Sequence, residues 1–164
     1  MDLTTVDGLP LHPLIVHAVV ILLPLAALCA LLIAIRPVWR RRFGWPVLAL
    51  TVAGVVAVPV AQVSGEQLQA ALGVANPLIQ RHADLGTQLL PYALAFGVLL
   101  VAFLVAGRLA DRESAAGTAP ATWRRVAVAA AVLVAAAGVA STVQVVRIGH
   151  SGATAVWNGV GTNR

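Results

Sequence analysis

The chain has 164 residues, of which 60% are hydrophobic and only 10% charged, and its mean hydropathy is +0.91. A soluble domain carries about 25% charged residues, so this sequence has too little polar surface to form a water-facing globule. A net charge of +5 is compatible with nucleic-acid binding. We expect no nucleic-acid partner, however, because the arginines fall in short segments beside apolar stretches, where the orientation of membrane helices accounts for them.

The first predicted membrane helix covers about residues 14–35. From Leu14 the chain carries about twenty apolar residues, enough to cross the roughly 30 Å hydrocarbon core of a bilayer as a helix. His17 is the one ionisable side chain in this stretch. An ionisable group in a membrane helix is unfavourable without a partner, so His17 is predicted to have a functional role. We expect no cleaved signal peptide, because acidic residues precede the stretch and its apolar core is long.

Three further spans are predicted at about residues 46–63, 85–106 and 126–148, each close to the length that a tilted membrane helix needs. The sequence therefore predicts an all-α fold. This fold is an integral membrane four-helix bundle that forms one domain over residues 1–164, with no separate soluble domain.

The distribution of arginine predicts the orientation of the bundle. Eight of the eleven basic residues lie between spans one and two or between spans three and four, namely Arg36, Arg40, Arg41, Arg42, Arg108, Arg112, Arg124 and Arg125. Short basic loops remain on the cytoplasmic side of a membrane. We therefore expect a multi-pass protein of the bacterial cytoplasmic membrane, with both termini and the segment 64–84 on the extracytoplasmic side.

The segment between spans two and three has helix signals of its own. Residues 66–72 are predicted to form a short helix lying at the membrane interface. Asn76-Pro77 is typical of a helix start, with Asn as the cap and Pro in the first helical position. A helix that begins there carries His82 towards the membrane. Gly86 lies four residues later on the same face and leaves room for a flat group, although a packing glycine is an equal alternative.

Small side chains recur at four-residue intervals in the fourth span. Ala136 is followed by Ala140, and Gly138 by Thr142. This spacing lets helices approach closely in lipid, so the fourth span is predicted to pack inside the bundle or against a second copy in a homodimer.

Polar side chains concentrate at the predicted outer end of the bundle. They are His12, His17, Gln62, Glu66, His82, Asp84, Gln88, Gln144, Arg147 and His150. All four histidines belong to this set, and imidazole is a common ligand of transition metals and of haem. His12 and His17 point about 140° apart on one helix and are poorly placed to share an ion. We therefore expect each to meet a ligand from another helix, with His17 facing His82 or His150 across a planar cofactor such as haem b.

The alternative is that these histidines are structural. They would then hydrogen-bond to Glu66, Asp84 or loop carbonyls and hold the outer ends of the helices together. Gln88, Gln144 and Arg147 would support either arrangement, and Arg147 has the further option of reaching the outer interface.

The motifs LHPLIVH, SGE, RHADLG and GHSGATAVWNGVG occur in this order around the four spans. Together they resemble the bacterial four-span membrane protein family known as domain of unknown function 2231. The positions that carry the resemblance are His12, Pro13, His17, Gly149, His150, Gly152, Trp157, Gly159 and Gly161. Some members are fused to a Rieske-type iron–sulfur domain, which implies electron transfer at the outer face. This chain has no cysteine–histidine motif for such a domain.

Two functional hypotheses follow. In the first, the protein is a haem- or metal-binding subunit that works with a quinone or a redox partner protein on the outer face, and is at most an electron-transfer subunit rather than a stand-alone enzyme. In the second, it is a membrane scaffold or assembly protein with structural histidines. A transporter is a weaker third alternative, because no charged residue continues a pathway into the inner half. A two-haem wire across the membrane is excluded, since no histidine lies near the inner face.

Overall fold

The structure is a computed structural model that describes residues 5–6, 8–73, 76–117 and 122–158. A two-stranded antiparallel ladder, β1 (Thr5–Val6) and β2 (Leu9–Pro10), precedes the helices. The helices are α1 (Leu11–Ile35), α2 (Pro37–Leu72), α3 (Pro77–Thr87), α4 (Leu89–Ala115) and α5 (Thr122–Trp157). With α3 and α4 counted as one stretch, four helical segments within the described residues are long and apolar enough to cross a membrane. The predicted all-α membrane bundle is confirmed.

The connection between the second and third membrane helices differs in part from the prediction. Residues 66–72 do not form a separate interfacial helix, because α2 continues without a break to Leu72. It ends at Gly73, whose φ of 61° is the left-handed conformation that glycine adopts most easily. The predicted start of the next helix is confirmed, since the Asn76 side chain accepts a 2.8 Å hydrogen bond from the Leu78 backbone N–H.

The third membrane helix is interrupted at Gln88, between α3 and α4. Pro91 has no backbone N–H and cannot donate to the carbonyl four residues earlier. Two glutamines from neighbouring helices satisfy carbonyls just before the interruption. Gln62 donates to the Gly86 carbonyl at 2.9 Å, and Gln144 donates to the Leu85 carbonyl at 3.1 Å. These side chains therefore supply hydrogen-bond donors to the backbone beside the interruption.

The core of the bundle lies along α4, whose Phe96 and Leu100 are completely buried. The small residues of α5 let this helix approach closely. A Cβ placed on Gly138 would lie 3.0 Å from the Ala27 Cβ of α1 and 3.3 Å from Cε2 of Phe96. Polar groups are held at both ends of the bundle. We call the end that carries His12 and His82 the histidine end, and the opposite end, which carries Arg40 and Asp111, the arginine end.

Candidate functional site

His12 lies at the start of α1 and is fixed against α2. Its Nδ1 donates a 2.9 Å hydrogen bond to the Ala61 carbonyl. Ser64 is buried, donates to the same carbonyl at 3.1 Å and lies 3.4 Å from Nδ1. The ring fits against α2 because residue 65 is glycine, where a Cβ would lie only 2.8 Å from the imidazole Cε1. The His12 ring thus packs against a Ser-Gly pair, Ser64-Gly65.

His82 of α3 has the same surroundings, supplied by α5. Its Nδ1 donates to the Ile148 carbonyl at 3.1 Å and lies 3.1 Å from the hydroxyl of Ser151. Ser151 in turn donates to the Ile148 carbonyl at 2.8 Å. A Cβ on Gly152 would lie 3.0 Å from the His82 Cε1. In both places the histidine bonds the carbonyl three residues before a serine, and the following glycine makes room for the ring.

The two rings meet between the two helix pairs. Their centroids are 6.2 Å apart and their planes are inclined at 79°. A carbonyl oxygen only accepts hydrogen bonds, so each Nδ1 must carry a proton. In a neutral imidazole the other nitrogen, Nε2, is then unprotonated and has a free lone pair. A histidine whose Nδ1–H is held by a carbonyl in this way is the usual arrangement of a metal-ligating histidine.

The position of each ring follows from the rotation of its helix. His12 lies seven residues before Val19, the first buried residue of α1, and His82 lies seven residues before Leu89, the first buried residue of α4. Seven residues are nearly two helical turns. His12 therefore extends the buried side of α1 towards the histidine end, and His82 has the same seven-residue offset from Leu89 across the interruption at Gln88.

The structure changes the predicted pairing. His17 does not face His82, because its side chain is exposed and its Nδ1 bonds the Pro13 carbonyl one turn earlier. The partner of His82 is His12 instead. His12 and His17 point to different sides of α1, as expected. The histidine that faces the bundle, however, is His12 and not His17. His150 is also exposed on α5.

The predicted supporting residues mostly lie away from the rings. Glu66, Asp84 and Gln88 are exposed, and Asp84 accepts a 2.8 Å hydrogen bond from its neighbour Gln80. Arg147 is exposed and donates to the Gln144 side-chain oxygen at 3.2 Å. Across the described residues, no group of three or more His, Cys, Asp or Glu side chains could hold a metal ion. A site at this end therefore depends on two imidazoles. Gly159 and Gly161 lie outside the described residues.

Sequence reasoning missed the role of the two Ser-Gly pairs. Ser64-Gly65 and Ser151-Gly152 are the only Ser-Gly dipeptides in the chain. Each lies near the end of the second helix of a helix pair, and this repetition was the available signal. A hydropathy profile does not show this repetition, because the residues that flank the two dipeptides differ.

The fold defines a multi-pass, all-helical membrane protein in which two histidine rings lie close together at one end of the bundle. The sequence profile of the family described as Predicted membrane protein (DUF2231) matches residues 8–164. The chain belongs to this family, as the order of its motifs indicated. No curated protein and no solved structure matches the chain.

Proposed function

We propose that this protein is a redox-associated membrane subunit that binds a transition metal between His12 and His82, either as haem iron or as a single ion. The observation that carries the proposal is the equivalent support of the two rings. Each Nδ1 is committed to a backbone carbonyl beside a Ser-Gly pair, so both Nε2 atoms are left as ligands. Two helix pairs unrelated in local sequence share this arrangement.

The number and spacing of the imidazoles support this chemistry. A structural zinc site uses four protein ligands and a catalytic one three, whereas haem iron needs at most two axial ligands. Taking about 2 Å for each metal–nitrogen bond, two rings on opposite sides of one metal have centroids about 6 Å apart. The rings of His12 and His82 are 6.2 Å apart. Haem b or a low-coordinate ion such as copper therefore fits better than zinc.

The test is an absorption spectrum and elemental analysis of the protein purified in mild detergent from cells supplied with haem and copper. A Soret band that sharpens on reduction identifies haem, and stoichiometric copper without that band identifies an ion. His12→Gln and His82→Gln should each lose most of the bound metal, because an amide is a poor replacement for an imidazole ligand.

His17→Gln is the matched control, since it removes an exposed imidazole five residues away on the same helix. It should retain the metal. The proposal fails if no preparation contains metal or haem, or if His17→Gln loses as much metal as His12→Gln in protein that elutes as a monodisperse species.

A structural role is the second candidate, and a specific observation favours it. The Nδ1 bonds tie α1 to α2 and α3 to α5 at the histidine end, as expected of a membrane scaffold or assembly protein. In this case metal-free protein should unfold at a lower temperature when His12 becomes Ala. Gln should restore part of the loss, because it keeps a donor and an acceptor.

A further inference from the structure

A second polar site lies at the arginine end, between α2 and α4. A cavity of about 180 Å³ opens there, lined by three arginines and one aspartate, Arg40, Arg41, Arg108 and Asp111. One water occupies roughly 30 Å³ in the liquid, so the cavity has room for a phosphate-sized group. Arginines near a membrane surface are sufficient to orient a protein, but orientation does not require three of them around one cavity.

Arg40 is the most buried arginine that lines this cavity. Its guanidinium side chain is only 9% exposed and bonds Asp111 at 2.7 Å and the Gly107 carbonyl at 3.0 Å. The close approach requires glycine at position 107, because a Cβ there would collide with the guanidinium group. Asp111 also accepts two hydrogen bonds from Arg41, at 2.9 and 3.0 Å. One carboxylate thus positions two guanidinium groups and leaves the cavity with an excess of positive charge.

Arg108 is the cavity arginine that has no anionic partner within the described part of the chain. It is exposed and lies over the Trp45 ring, with its Cζ 4.8 Å from the ring centroid. Among the described residues it makes no hydrogen bond or ion pair. Stacking on an indole holds the guanidinium plane and leaves its N–H edges free for a planar or tetrahedral anion. Arg41 also keeps one terminal nitrogen that the Asp111 bonds do not use.

The surface beside the cavity indicates which anion this is. Val105 and Val101 lie three and seven residues before Arg108 on the same side of α4, and their side chains are 49% and 44% exposed. In a membrane helix such apolar surface faces acyl chains. A lipid whose phosphate enters the cavity would lay its chains along these valines, whereas a free phosphate ion would gain nothing from them. Basic pockets between membrane helices are known to hold anionic lipid headgroups.

We propose that the cavity formed by Arg40, Arg41, Arg108 and Trp45 binds the phosphate of an anionic membrane phospholipid. Arg40 and Asp111 position the site, and Arg108 and Arg41 contact the phosphate. The site lies at the opposite end of the bundle from the histidine pair, so it neither requires nor excludes a metal there.

The experiment is lipid binding to the full-length protein in a neutral detergent, measured by native mass spectrometry. The probes are dioctanoyl phosphatidylglycerol, dioctanoyl phosphatidylcholine and inorganic phosphate. We expect the anionic lipid to bind at least about fivefold more tightly than the zwitterionic one, since a basic residue near the membrane surface contributes roughly that factor. Arg108→Gln should reduce this preference about fivefold.

Arg36→Gln is the matched control. It removes the same charge at the same end, and Arg36 is likewise stacked on a tryptophan, with its Cζ 5.2 Å from the Trp39 ring centroid. It does not line the cavity, so its preference for the anionic lipid should equal that of the wild type. Equal binding of the two lipids overturns the proposal. So does an equal loss in both variants, or binding of inorganic phosphate as tight as that of the anionic lipid.

Discussion

Replacing Gly138 tests the packing of the bundle most directly. Carbon atoms in good contact lie about 3.5–4.0 Å apart, but a Cβ at this position would lie 3.0 Å from the Ala27 Cβ. Ala27 has no rotatable side chain, so α1 and α5 must separate. Overpacking of this kind costs about 1–3 kcal/mol, and Ala recovers about 0.5–1 kcal/mol through its better helix propensity. We expect Gly138→Ala to lose about 1 kcal/mol and Gly138→Leu about 3 kcal/mol or more.

The assay is thermal unfolding in detergent, followed by the loss of the monodisperse peak in size-exclusion chromatography. Gly149→Ala in the same helix is the control, because apart from the adjacent backbone of α5 itself no described atom lies within 4 Å of the position of its Cβ. The midpoint temperatures should decrease in the order Gly149→Ala, wild type, Gly138→Ala and Gly138→Leu. If Gly138→Leu unfolds at the wild-type temperature, α1 and α5 are not in close contact and the packing argument is wrong.

Two further predictions concern single side chains, and a third concerns the orientation in the membrane. Gln144→Leu removes the side-chain donor to the Leu85 carbonyl and should lower the free energy of unfolding by about 1 kcal/mol, measured by denaturant titration in mixed micelles. Asp111→Asn leaves the nearly buried Arg40 with a neutral partner and should cost about 1–3 kcal/mol in the same titration; an unchanged value would show that the ion pair does not stabilise the fold. A periplasmic phosphatase fused after Arg42 should be inactive and one fused to the C-terminus active, and activity after Arg42 would reverse the predicted orientation.

The helices could be predicted because their length and apolar content depend on the membrane rather than on tertiary contacts. The start of α3 could also be predicted, since Asn76-Pro77 is a local capping signal that does not depend on tertiary contacts. The continuation of α2 through residues 66–72 was not. The polar composition of this segment is compatible with a separate interfacial helix, but in the structure it continues α2, and its Gln69 donates a 3.1 Å hydrogen bond to the side chain of Gln80 in α3.

The pairing of the histidines could not be predicted, because it depends on rotation about the helix axis. The apolar residues of α1 surround the helix on all sides, so hydropathy does not show whether His12 or His17 faces the bundle. Depth in the apolar stretch favoured His17, yet depth measures position along the axis only. The buried residues Val19 and Leu23 define the inner face, and His12 is the histidine that lies in line with them.

His12 bonds α2 and His82 bonds α5 in equivalent surroundings, so the chain divides into two helical hairpins, α1–α2 and α3–α5. Both histidines lie on helices that run from the histidine end to the arginine end, so the two hairpins have the same direction in the bundle. Neither hairpin contains both rings. Any ligand that both rings hold is therefore a cross-link between the halves, and two fragments divided between residues 73 and 76 could bind it only after they had reassembled.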